Sequence, residues 1–145
     1  IILAVGKTSS PFVDVLEAEV RKIGTGDQLD PTTTMGPMVR EADAIRVDSW
    51  IDEAIQSGAK PVVRGKRRGA ILDPCVLDHV SPNARISRED LFGPAVVVTR
   101  CNDIREAIQL ANDTSFGLSA GIFTQDLERA MAEWEEATQA LEGLG

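Results

Sequence analysis

The sequence predicts an α/β fold of three layers, a mostly parallel sheet with helices on both faces. Three observations lead there. Residues 95–99 (AVVVT) form a continuous run rich in β-branched side chains, suited to a strand buried on both faces as parallel sheets require. From that run the pattern reads strand, helix, strand, helix, the alternation that builds crossovers onto a parallel sheet. At 145 residues and 43% apolar content the chain can bury one core, so a single domain over residues 1–145 is expected. The last helix breaks off at Leu144 and Gly145 with no strand after it, so the sheet is expected to be incomplete at both ends.

Residues 1–5 read as a short buried strand. Ser9 and Ser10 before Pro11 start a helix, because proline tolerates the first helical turn. Val13, Leu16, Val20 and Ile23 line its apolar face, and Gly24 is expected to end it. Residues 26–37 are polar and turn-rich, with Asp30 and Pro31 setting a bend before Met35, Gly36 and Pro37. Ala44, Ile45, Ile51, Ala54 and Ile55 mark a second amphipathic helix, stopped by Gly58 in a position typical of a left-handed cap. Residues 61–63 read as a short strand, 65–69 as a turn, and 71–77 as a strand interrupted at Pro74, which favours an edge or a strand end. After the 95–99 strand, Asn102 or Asp103 caps a helix with Glu106 reaching back, and Ile104, Ala107, Ile108 and Ala111 supply its stripe. Residues 119–123 are expected to be the next strand. Leu127, Ala130, Met131, Trp134, Ala137 and Leu141 face inward from a last helix.

The charged fraction of 26% and the lack of a long apolar run argue for a soluble globular protein, against disorder and against a membrane span. Residues 1–5 are too short for a signal peptide's apolar region, and no basic segment precedes them. A net charge of −8 argues against nucleic acid as a partner. The one basic cluster, Arg64, Lys66, Arg67 and Arg68, reads as a charged hairpin or loop tip. Cys75 and Cys101 have neither metal-ligand spacing nor a disulfide framework, so no metal site is expected, and a reducing, cytoplasmic compartment fits.

Several candidate motifs dissolve on inspection. Gly6, Lys7 and Thr8 after an apolar strand suggest a phosphate-binding loop and a nucleotide triphosphatase, but the full motif needs a glycine where Ile1 stands. Gly24 and Gly26 follow a helix rather than a strand and so make no dinucleotide fingerprint. His79, the single histidine, has no nucleophile motif around it and reads as a surface residue. Cys75 in a strand and Cys101 at a helix start read as buried packing residues.

Two patches carry more chemistry. Glu89, Asp90, Leu91, Phe92, Gly93, Pro94 and Ala95 place carboxylates and an aromatic ring at the start of the buried 95–99 strand. About twenty residues on, Asn112, Phe116, Gly117, Leu118, Ala120, Gly121, Phe123 and Thr124 lie in the stretch NDTSFGLSAGIFT. In this order, with an amphipathic helix between them, the patches resemble the C-terminal half of the aldehyde dehydrogenase catalytic domain. So do Asp27, Leu29, Asp30, Pro31, Thr34, Met35, Gly36 and Pro37 before the second helix, the turn residues Gly58, Ala59, Gly65 and Gly69, and residues 73–80. Together they cover about residues 11–130.

The resemblance implies a partial catalytic domain of an enzyme that oxidises an aldehyde to an acid with NAD or NADP. It implies that Asp90 stands where the family's glutamate binds the hydroxyls of the nicotinamide ribose, and that Phe92 is the aromatic that packs near the nicotinamide. Asp for Glu shortens that arm by one methylene, so the contact needs a closer backbone or a bridging water. Glu89 is next to it, but on an extended segment adjacent side chains point to opposite faces. In the family the nucleophilic cysteine, the general-base glutamate, the oxyanion-stabilising asparagine and the nucleotide-binding domain all precede the matching stretch. No residue here is therefore expected to be catalytic, and neither Cys75 nor Cys101 inherits the nucleophile's role. A small-molecule aldehyde and a homo-oligomeric assembly are the partners implied for the complete enzyme. A noncatalytic interaction or oligomerisation module derived from such an enzyme is the alternative.

Overall fold

The structure, a computed structural model, describes residues 1–117 and 119–126. The chain divides into two compact units, residues 1–100 and 101–145. In chain order the described elements are β1 (Ile2–Val5), a 3-10 turn (Gly6–Thr8), α1 (Ser9–Val20), α2 (Glu41–Gln56), β2 (Lys60–Val63), β3 (Arg67–Arg68), β4 (Ile71–Leu72), β5 (Cys75–Asp78), α3 (Arg85–Arg88), β6 (Ala95–Cys101) and α4 (Ile104–Asn112).

Four strands form one mixed sheet in the order β1-β6-β5-β2. The interior pair is parallel, with Cys75 opposite Ala95 and Leu77 opposite Val97. β2 runs antiparallel to β5 at one edge, with an irregularity between Pro61 and Val63. Proline has no N–H to give to a ladder, so an edge is where this strand belongs. The pleat then divides the apolar side chains between two cores. Cys75, Leu77 and Val97 pack with Ala44, Val47, Trp50, Ile51 and Ala54 of α2 and with Ile86 of α3. Val98 turns the other way, onto Ala4 of β1 and Val13 of α1. Helices thus cover both faces, the three-layer α/β arrangement expected from the sequence.

The ends of the helices follow from local hydrogen bonding. Thr8 Oγ1 donates to the Val5 carbonyl at 2.8 Å, and Ser9 Oγ lies 3.0 and 2.8 Å from the carbonyl oxygens of Ala4 and Gly6. The Gly6–Thr8 turn therefore folds back onto its strand, with its hydroxyls engaged by backbone. α1 ends at Val20 rather than at Gly24. Lys22 and Ile23 donate to Glu19 and Val20, tightening the chain into short turns and leaving Ile23 exposed. α2 ends where expected: Gly58 takes φ +107°, its N–H donates to the Ile55 carbonyl, and the Ala59 N–H donates to Ala54. That pair of bonds is a Schellman motif, which requires the left-handed residue glycine supplies.

Four expectations are corrected. The buried stripe of α2 is Ala44, Val47, Trp50, Ile51 and Ala54, whereas Ile45 is exposed, one residue out of phase with the 3.6-residue repeat. Pro74 separates two strands of different sheets, since β4 pairs with β3 in a two-stranded hairpin. The strand after Pro74, β5, is an interior one. Residues 119–123 form no strand and are exposed, Phe123 fully. No described strand pairs with them, and an extended segment needs a neighbour to satisfy its backbone groups. The expected last helix, with Leu127 to Leu141, lies outside the described residues, as does Leu118.

In the second unit α4 is capped as the sequence suggests. Asp103 Oδ1 accepts from the Glu106 N–H at 2.9 Å, and Glu106 Oε2 accepts from the Asn102 N–H at 2.7 Å. The reach-back of this capping box falls one residue before the cap.

Candidate functional site

The segment that carries Asp90 and Phe92 is held by its neighbours on both sides. α3 is one short turn, anchored by buried Ile86, and it ends as the Glu89 N–H donates to the Arg85 carbonyl at 2.9 Å. Glu89 is extended, at φ −104° and ψ 157°. Leu91 tucks its side chain against the α2 core, and its carbonyl accepts from Arg46 Nη2 at 3.1 Å. Phe92 adopts φ +39°, an uncommon backbone for a bulky side chain, and its ring is 80% exposed. Gly93 lies directly on Val47 of α2, so close that a Cβ there would sit 2.8 Å from a Val47 methyl. Its carbonyl accepts from the Ala95 N–H at 2.8 Å, a tight turn that aims the chain into β6. The Pro94 carbonyl then accepts from the Cys75 N–H at 2.9 Å, where the parallel pair begins.

The result is a backbone pinned at residues 91, 93 and 94 that offers Asp90 and Phe92 to solvent. An exposed carboxylate accepts hydrogen bonds from ligand hydroxyls, and an exposed ring offers a flat apolar face beside it. Trp50 stiffens the platform beneath. The guanidinium groups of Arg46 and Arg85 lie 4.7 and 4.5 Å from its ring centroid, and the Arg85 contact ties α3 to α2 by cation–π attraction. Sequence reasoning missed Arg46, Val47 and Trp50; the helical spacing of Arg46 and Trp50 was the available signal.

The second patch belongs to the other unit. Asn112 ends α4, the Phe116 N–H donates to Thr114 Oγ1 at 3.2 Å, and Phe116 is exposed.

Neither cysteine is presented for chemistry. Cys75 is 1% exposed, and burial, with Asp48 and Asp52 nearby opposing Arg64, pushes its thiol up to about 11. Burial also raises the Cys101 thiol, helped by Glu106 and Asp103. A thiol so placed is a poor nucleophile near neutrality.

The three arginines of the basic cluster are held in ion pairs. Arg64 Nη2 bonds Asp48 and Asp52 of α2 at 2.6 and 2.8 Å, and Arg67 reaches Glu41 at 3.3 Å. Arg68 forks onto both oxygens of Asp73 at 2.9 and 2.8 Å. That bidentate pair, with help from Thr25 Oγ1 and the Lys66 N–H against the cost of burial, lowers the Asp73 carboxyl to about 2. The hairpin of β3 and β4 is thereby fastened at its base and to α2.

A half-buried ion pair joins the far ends of β5 and β6. Burial works against ionisation of Asp78, yet Arg100 donates to both its oxygens at 3.0 and 2.7 Å and holds its carboxyl below the usual range. Arg100 also donates to Ser10 Oγ at 2.9 Å. His79 takes φ +55° beside this pair, its Nε2 3.7 Å from Asp78 Oδ2. Among the described residues no three His, Cys, Asp or Glu side chains gather as a metal site would require, and no helix is long and apolar enough to cross a membrane.

Comparison with known proteins places these features in context. A model of the aldehyde dehydrogenase family matches residues 2–140. The chain is 41% identical over 120 residues to a 3-sulfolactaldehyde dehydrogenase of Priestia aryabhattai, covering 83% of this chain and 25% of that protein. It is 41% identical over 126 residues to a vanillin dehydrogenase of Pseudomonas fluorescens, covering 87% and 26%. Among solved structures, a betaine aldehyde dehydrogenase from Staphylococcus aureus in complex with NAD+ superposes with a TM-score of 0.83 at 31% identity, over 93% of this chain and 28% of that one. An NADP-dependent glyceraldehyde-3-phosphate dehydrogenase from Bacillus halodurans, complexed with NADP, gives a TM-score of 0.87 at 30% identity, over 94% and 29%. The chain spans 25–26% of the length of these curated relatives.

Proposed function

The chain belongs to the aldehyde dehydrogenase family, and from that premise we propose that it is part of the later catalytic domain of an NAD(P)-dependent enzyme oxidising an aldehyde to a carboxylic acid. In this reading Asp90 accepts hydrogen bonds from the nicotinamide ribose hydroxyls, and Phe92 packs beside the nicotinamide. The bound dinucleotide supplies the hydride acceptor. The chain's own contribution is orientation: a carboxylate and a ring carried on a backbone fixed from below, with no bond-making group. The observation that carries the proposal is the pairing of an exposed Asp90 and Phe92 with a segment pinned to α2 and β5. The two buried thiols support the second half, that the nucleophile comes from elsewhere in the complete enzyme.

The complete enzyme acts on a small-molecule aldehyde, works in the cytoplasm and assembles as a homo-oligomer. The test is steady-state kinetics of the full-length enzyme with the dinucleotide varied. Asp90→Asn raises the KM for NAD(P) and leaves the KM for aldehyde unchanged, whereas equal dinucleotide KM values in both forms would overturn the cofactor assignment. Purified residues 1–145 alone are expected to oxidise no aldehyde. A second reading, a noncatalytic interaction module, draws on the bare apolar side chains of Phe92, Leu29 and Val39. Binding of the isolated chain to a complete subunit, unaffected by dinucleotide, would favour it.

A further inference from the structure

Resting on the assignment of Asp90 and Phe92 to the dinucleotide, we infer that Val47 and Gly93 form a positioning contact. The surface of α2 at Val47 sets the depth of the 91–94 backbone, and with it the reach of Asp90 and Phe92 toward the ligand. Three observations carry this. A Cβ on Gly93 would meet Val47 Cγ2 at 2.8 Å and Cγ1 at 3.0 Å, and Val47 is fully buried in the core with Ala44, Trp50 and Ile51, where it has no room to retreat. Gly93 is not among the glycines with positive φ, so the missing side chain answers to the close approach and not to the backbone conformation. The adjacent position on α2, Arg46, holds the Leu91 carbonyl at 3.1 Å, so consecutive residues of one helix secure the residues before and after Phe92, whose own backbone lies at φ +39°.

The experiment compares Gly93→Ala, Val47→Ala, their double variant and Asp90→Asn in the full-length enzyme, reading KM for NAD(P), kcat and Tm. Ordinary carbon contacts lie near 3.5–4.0 Å, so the added methyl pushes the segment outward by about 1 Å. A displacement of that size is expected to raise the dinucleotide KM about tenfold by weakening the Asp90 contact and, because Phe92 packs beside the nicotinamide, to lower kcat as well. Val47→Ala removes the obstructing methyls, so the double variant returns KM toward the starting value even though the apolar volume lost at Val47 keeps its Tm below that of the unsubstituted enzyme. A contact serving stability alone would give the lower Tm without the recovery of KM, and that result overturns the inference. An unchanged KM in Gly93→Ala, alongside a raised KM in Asp90→Asn, also overturns it while leaving the cofactor assignment intact. An unchanged KM in Asp90→Asn removes the cofactor assignment and this inference together. Should Gly93→Ala fail to fold, Arg46→Met releases the Leu91 carbonyl from a half-buried position. It must raise the same KM, with partial recovery in Arg46→Lys, or the inference fails.

Discussion

Asp90 sits at the end of a short arm, and the length of that arm makes a quantitative test of its role. A hydrogen bond from a hydroxyl to a carboxylate contributes about 1.5–3 kcal/mol, so Asp90→Asn in the complete enzyme should weaken NAD(P) binding by about tenfold or more. Under the proposed cofactor role Asp90→Glu, longer by one methylene, should tighten binding; fluorescence titration with the reduced dinucleotide against each variant measures both. The cysteines give the opposite case, residues whose chemistry the fold suppresses. A free thiol titrates near 8.5, whereas Cys75 is pushed up to about 11 and is 1% exposed. Cys101 is also buried, at 4%. Iodoacetamide at pH 8 should therefore leave both unmodified in the folded chain and modify both once denaturant is added. Mass spectrometry showing rapid labelling of either thiol before unfolding would contradict this placement.

At the scale of elements, the β3–β4 hairpin shows how a charged turn becomes a fixed structure. Gly65 lies against the Asp73 backbone, where a Cβ would come within 2.6 Å of the Asp73 carbonyl carbon. Backbone cannot rotate aside as a side chain can, so Gly65→Ala should cost on the order of 2–3 kcal/mol in urea unfolding. The same hairpin gives the chain an acid-sensitive fastening. Arg68 lowers the Asp73 carboxyl from its ordinary 3.8 to about 2, so the unfolded chain takes up this proton first as the medium is acidified. The stabilisation is complete above about pH 4 and is lost progressively between pH 4 and pH 2. Arg68→Gln should flatten that part of the stability profile and leave the neutral plateau only modestly lower, because the pair is partly solvated. In the second unit, Asp103→Ala removes the α4 cap and should cost about 1 kcal/mol of helix protection in amide exchange.

For the whole molecule, what the sequence disclosed depended on the range of the interactions that define each part. β6 was legible because an uninterrupted branched run has few alternatives to burial, and the stop of α2 was legible because Gly58 and its bonds are local. The phase of α2 was not, since Ile45 and Val47 are both apolar and only packing against the sheet decides between them. β3, β4 and α3 span two to four residues each and are fixed by distant contacts such as Arg67 with Glu41. Asp90 and Phe92 were legible as a motif, but their support by Arg46 and Val47 joins segments some forty-five residues apart and left no periodic trace. The resulting architecture places the support of the 91–94 segment in one layer of a two-sided core. Leu77 and Val97 lie on the α2 face and Val98 on the α1 face. Leu77→Ala empties the layer beneath α2 and should cost about 2–5 kcal/mol. Because the 91–94 backbone rests on α2, that loss should also loosen this segment, raising amide exchange at Cys75 and Ala95, whose N–H groups donate to the Pro94 and Gly93 carbonyls. Val13→Ala on the opposite face removes apolar volume away from α2 and should lower global stability while leaving those two amides as protected as global unfolding allows. Equal local loosening in the two variants would mean that the faces of the sheet do not act as separate supports, and that the site draws its rigidity from the sheet itself.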